Sequence, residues 1–178
     1  MWLRAMGQGA AAGLAGALVM TAGEKIEQRC TGRADSHVPA RTLERLVGLP
    51  EAPRRQPWAL NVAMHAGQGM LLGVLRGAMA SAGLRGPWAS AMFWAVRLTN
   101  DQTLENATGV GAPPWTWPRR EVVVDLAHKA VYATVTGLVA DRLAARHGPG
   151  PGQIHARKRK GRHPHIGPPP RRDASTDD

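Results

Sequence analysis

An all-α fold, four helices bundled across a membrane with a disordered basic tail behind them, is what this chain of 178 residues predicts. Three observations lead there. Two stretches of 19 residues, 5–23 and 57–75, contain no Asp, Glu, Lys or Arg, and each reaches the length a helix needs to cross a bilayer. The polar residues within the helical stretches fall on narrow stripes, and most of each circumference is apolar. The apolar content is Ala, Leu, Val and Gly, with Gly 21 and Trp 6 against Phe 1 and Tyr 1. Scarce aromatic and β-branched runs disfavour a β-protein. A single cysteine, Cys30, excludes an intrachain disulfide and a Cys-only zinc site.

Taken in order, the first helix covers about residues 2–30. Gly9, Gly13, Ala17, Thr21 and Glu24 share one face, opposed by Ala15, Leu18, Val19 and Ala22. Residues 1–23 have the arginine, apolar run and small-residue end of a signal peptide, but the glycine face continues to Glu24 and reads as a retained helix. A basic, proline-containing loop follows. Within it, residues 39–49 form a short interfacial helix with Leu43, Leu46 and Val47 on one face. The second long helix covers about 57–83, with Trp58, Asn61, His65, Gln68, Gly69, Leu72 and Arg76 on one stripe. The third, about 86–104, grows from the uncharged run 86–96 and aligns Ser90, Trp94, Arg97 and Asp101. The loop 109–120, GVGAPPWTWPRR, is too rich in Pro and Gly to be helical for most of its length. The fourth helix, about 119–147, grows from the run 130–140 and lines up Asp125, His128, Lys129, Tyr132 and Thr136. Residues 1–147 thus form one membrane domain.

A soluble surface helix buries an apolar arc of about 100° and wets the rest. Here the polar residues are the minority stripe, the pattern of helices whose polar sides face one another while the remainder faces lipid. Gly9-x-x-x-Gly13 and Gly69-x-x-x-Gly73-x-x-x-Gly77 are small-residue seams that permit close helix approach. Trp2, Trp58, Trp88, Trp115 and Trp117 fall at or beyond helix ends, as an aromatic belt requires. Trp94 reads as interior packing.

The net charge of +10 divides unevenly. Residues 148–178 hold seven Lys/Arg and three Asp, with six prolines and few large apolar side chains, a composition expected to stay disordered. Its RKRKGR patch, Arg157, Lys158, Arg159, Lys160 and Arg162, suits anionic lipid head groups beside a helix end. The competing reading is a soluble or peripheral helical module that binds nucleic acid or anionic lipid through this tail. With four spans, twelve Lys/Arg lie on the side of the termini and ten on the other, which leans to both termini inside.

The order of features is similar to a known family. A Gly/Ala helix ending Met20-Thr21-x-x-Glu24 precedes Arg33-x-x-Ser36-x-x-Pro39. A His65-x-x-x-Gly69 helix follows, then a loop with Pro113-Pro114-Trp115, then an Asp125-x-x-His128 helix ending Asp141-Arg142-Leu143. Over roughly residues 5–146 this resembles the YagU-like small inner-membrane proteins of bacteria. The resemblance implies a helical bundle in the bacterial cytoplasmic membrane and carries over no catalytic residue.

Ionisable residues at membrane depth are costly and mark a functional site by default. Glu24, His65, Gln68, Asp125 and His128 are expected to face a common interior. There they can fix packing by hydrogen bonds between helices, with Asp125 and Lys129 paired at i,i+4. They can also relay protons or line the path of a small solute. His65, Asp125 and His128 would further suit a divalent metal such as zinc or iron. Enzymatic chemistry has little support: Ser36 and Ser90 lack a nucleophile elbow, and Gly7-x-Gly9 lacks the strand and acidic partner of a dinucleotide loop. No cofactor is implied.

Overall fold

Helices form where the uncharged runs lie, and prolines and glycines set their ends. In the computed structural model, residues 2–50 and 58–158 are described, and every regular element among them is helical. They are α1 (Trp2–Thr31), α2 (Val38–Val47), α3 (Trp58–Ala82), α4 (Pro87–Ala107), a 3-10 turn (Pro114–Thr116), α5 (Arg119–Ala145) and α6 (Pro151–Lys158). Proline stands in the first turn of α2 and of α4, where its missing N–H is not needed. Gly48 ends α2 with φ 69°, so that the next amide, that of Leu49, reaches back to the Glu44 carbonyl at 2.8 Å. A side chain would be strained in that left-handed conformation.

The two predicted glycine seams meet each other. α1 packs on α3 and α5, and α5 on α4. At the α1–α3 crossing, a Cβ added to Gly73 would lie 2.7 Å from Gly13 Cα, and one on Gly77 would lie 2.6 Å from Gly9 Cα. Only backbone fits there. On the α5 side, Gly16 lies against the Tyr132 and Thr136 side chains. Phe93 of α4 and Tyr132 of α5, ring centroids 5.7 Å apart, form the middle of the core with Ala17, Met20 and Ala133.

The distribution of polarity is inverted relative to a water-soluble domain. Apart from Met20, Met64, Phe93 and Tyr132, the fully buried hydrophobic residues are alanines, while Arg76, Arg97, Asp101 and Lys129 are also buried. Large apolar side chains point outward instead: Leu3 is 85% exposed, Leu71 75% and Val123 64%. Four tryptophans at helix ends or in the α4–α5 loop, Trp2, Trp58, Trp88 and Trp115, are exposed. Trp94 packs inside, donating to the Leu126 carbonyl at 3.2 Å. α2 shows the same inversion, with Ala40, Thr42 and Glu44 buried and Leu46 and Val47 facing out.

Two helices, α1 and α5, are long and apolar enough to cross a membrane. The expectation of four spans narrows to these two on that measure. α3 is diluted by Asn61, His65, Gln68 and Arg76, and α4 by Arg97, Asp101 and Glu105. The structure also corrects the start of the disordered tail. Residues 151–158, including Arg157 and Lys158, form α6, which packs on α3. Its Gln153 is buried and accepts from the Gly150 amide at 3.0 Å, and this local cap lets a charged, proline-flanked segment fold. Arg159, Lys160 and Arg162 of the predicted patch lie outside the described residues.

Candidate functional site

Five helices and two loops line a cleft of about 640 Å³ at one end of the bundle. α1 contributes Met20 and Glu24, α3 Met64, His65 and Gln68, α4 Arg97, Asp101 and Glu105, and α5 Glu121, Asp125, His128 and Lys129. The segment around Arg33–Thr42 covers one side, and Val110, Gly111, Ala112 and Trp117 the other. Glu24, His65, Gln68, Asp125 and His128 therefore all line one cavity. The i,i+3 and i,i+4 spacings that put them on stripes also turn those stripes toward each other.

At the deep side lies a buried charge network. Arg97 Nε donates to Asp101 Oδ2 at 2.9 Å, one helical turn away. Lys129 Nζ lies 3.2 Å from the same oxygen and donates to Asp125 Oδ2 at 2.7 Å. Gln68 Nε2 donates to Asp101 Oδ1 at 2.7 Å. The Arg97 guanidinium also sits over the Tyr132 ring, 4.9 Å from its centroid, while the Tyr132 hydroxyl donates to the Gly69 carbonyl at 2.8 Å. Buried cations and carboxylates persist only when paired in this way. His65 Nδ1 and Arg97 Nη1 are buried without a hydrogen bond among the described residues.

Five carboxylates (Glu24, Asp101, Glu105, Glu121, Asp125) and three cations (Arg33, Arg97, Lys129) line the cleft. Counted formally with histidines neutral, acidic side chains outnumber basic ones there by two, inside a chain of net charge +10. Arg33, in the loop after α1, donates to Glu27 Oε2 at 2.9 Å and lies 3.6 Å from Glu24. Burial alone would lower its pKa, but the Glu27 hydrogen bond and the two nearby carboxylates hold it above the ordinary arginine value. Among the described residues no group of three or more His, Cys, Asp or Glu side chains could hold a metal ion. His65, Asp125 and His128 share the cleft without forming the metal set their residue types suit.

Sequence reasoning left Arg97, Asp101 and Lys129 out of the site. Arg97 and Asp101 stood only on the polar stripe of the third helix, and Lys129 on that of the fourth as the helical partner of Asp125. The signal was present: Arg97 and Asp101 stand at i,i+4 on the stripe of Ser90 and Trp94, the spacing of an intrahelical pair.

A second polar cluster occupies the other end. Arg76, fully buried, lies 2.8 Å from Asp141, whose other oxygen accepts from the Gly86 amide at 2.8 Å. Arg85 donates to the Ala80 carbonyl at 2.8 Å and the Gly148 carbonyl at 3.0 Å. Burial lowers its pKa, an effect that Asp141 opposes and Arg76 reinforces. Arg76, Arg85 and Asp141 do not line the cleft, which Met20 of the central core borders. Comparison with protein families, curated proteins and solved structures gives no match to this chain.

Proposed function

We propose that this is an integral membrane protein of four spanning helices, α1, α3, α4 and α5, whose polar cleft handles protons or a small solute. One observation carries the reading: paired Arg, Asp and Lys side chains are buried among alanines in the interior while Leu, Val and Trp side chains face outward. Water gives no reason to expose 21 large hydrophobic side chains among the described residues around a core of alanine and ion pairs, whereas lipid does. The polar residues that depress the hydropathy of α3 and α4 are the ones turned inward, so they cost little against the bilayer. The resemblance to YagU-like proteins extends the proposal to the bacterial cytoplasmic membrane.

Met20, which packs with Phe93 and Tyr132 in the core, also borders the cleft. Histidines beside carboxylates suit protons, since histidine exchanges them near neutrality. Carbonate-washed membranes are expected to retain the chain; release into the supernatant would overturn the integral reading. In vesicles holding a pH-sensitive dye, His65→Ala and Asp125→Asn are each expected to slow proton entry. Wild-type rates from both would reduce the cleft to packing.

A further inference from the structure

Opposite the cleft, a smaller cavity of about 230 Å³ lies where the start of α1 meets the α5–α6 connection. Its polar lining is Arg4, Gln8, Ser81, Arg85 and His147, with no carboxylate. The contrast with the first cleft is direct. There Arg33 and Arg97 meet carboxylates. Here Arg4 Nη1 lies 3.4 Å from the His147 ring, and Gln8 Nε2 lies 3.1 Å from its other nitrogen. Arg85 is held by main-chain carbonyls. Nitrogen groups from α1, the α3–α4 connection and the α5–α6 connection are gathered around open space without a carboxylate in the lining.

We propose that this cavity is a phosphate site, and that the phosphate is the head group of a net-negative phospholipid. Guanidinium and imidazole groups recognise phosphate through charge-assisted hydrogen bonds. The volume is several times the roughly 30 Å³ share of a water molecule, enough for a phosphodiester. The lipid source follows from the surroundings. Leu3, beside Arg4, is 85% exposed, and Trp2 and Trp88 are exposed at the same end of the bundle, so acyl chains would run down an apolar flank while the head group sits at the belt. α6 adds Arg157 and Lys158 on that side, raising the local concentration of anionic lipid.

The assignment concerns a different cavity from the proposed function, and only the choice of lipid over free phosphate rests on the membrane reading. The test uses the full chain in neutral detergent, with bound lipid read by native mass spectrometry after addition of phosphatidylglycerol, phosphatidylcholine or glycerol 3-phosphate. Phosphatidylglycerol is expected to be retained over phosphatidylcholine. The Arg4→Gln/His147→Gln double variant, whose side chains are exposed and outside the core, is expected to weaken retention about tenfold or more, the loss of charge-assisted bonds. Arg4→Lys should fall between. Glutamine at Arg157, Lys158, Arg159, Lys160 and Arg162 should leave the preference in place. If glycerol 3-phosphate binds as tightly as the lipid, the phosphate site stands and the lipid source is overturned. Unchanged retention in the double variant, equal retention of phosphatidylcholine, or loss of the preference with the five-glutamine chain would overturn the site.

Discussion

Asp101 holds two buried cations at once, Arg97 through Oδ2 and Lys129 through the same oxygen, while its Oδ1 takes the Gln68 amide. Replacing it by Asn keeps the shape and removes the charge. Lys129 would then keep Asp125, while Arg97 would lose its carboxylate partner. Removing one partner of a buried pair costs about 3–5 kcal/mol, so Asp101→Asn is expected to lower the unfolding midpoint of the detergent-solubilised chain strongly. Asp125→Asn should cost about 1 kcal/mol or less, because that carboxylate is 30% exposed and its pair is partly solvated. Equal losses would show that the network does not centre on Asp101. The five residues read from the stripes share the cleft because helical spacing is visible in sequence. The partner each one takes was not, since Gln68–Asp101 joins residues 33 apart on different helices, and no local pattern encodes such a choice.

The helices themselves were largely legible. Uncharged runs, proline starts and small-residue seams place α1, α3, α4 and α5 within about three residues of their observed ends. The seams also carry a test that separates packing from propensity. Glycine inside a helix costs about 0.5–1 kcal/mol relative to alanine. Gly7 has nothing within 4 Å of an added Cβ, so Gly7→Ala should stabilise by about that amount. Gly73→Ala would press on the backbone of Gly13, and overpacking costs about 1–3 kcal/mol, so the net effect should be destabilising. Thermal unfolding of both variants reads the difference in sign. For α2, its outward Leu46 and Val47 should lose their environment on substitution by Asp. Faster amide exchange across Val38–Val47 in vesicles would register it, whereas an unchanged rate would mean that the face meets water already. α6 escaped sequence reading because a Gly-Pro-rich, charged segment folds only through a contact, the burial of Gln153 against Gly83.

At the scale of the whole molecule, average hydropathy misleads, since polar loops and a basic tail dilute an outward face rich in Leu, Val and Trp around a core of alanines and buried ion pairs. The narrow polar stripes of the long helices carry this distribution in the sequence. Which pairs of helices touch most closely was not recoverable, because the α1–α3 contact skips an intervening helix. The ion pairs carry a consequence for the order in which the chain is made. α4 brings its own counter-charge, Arg97 with Asp101, and α5 brings Lys129 with Asp125. α3 does not: the partner of Arg76 is Asp141, near the end of α5. In the proposed four-span arrangement α3 would emerge during synthesis with an uncompensated guanidinium, a burden of up to about 2.5–3.5 kcal/mol. A chain stopped at residue 118 is therefore expected to hold α3 poorly in the bilayer by protease protection, and Arg76→Leu should restore it. Stable insertion of the early half would then wait for the last long helix, making the bundle complete itself only when almost all of it has left the ribosome.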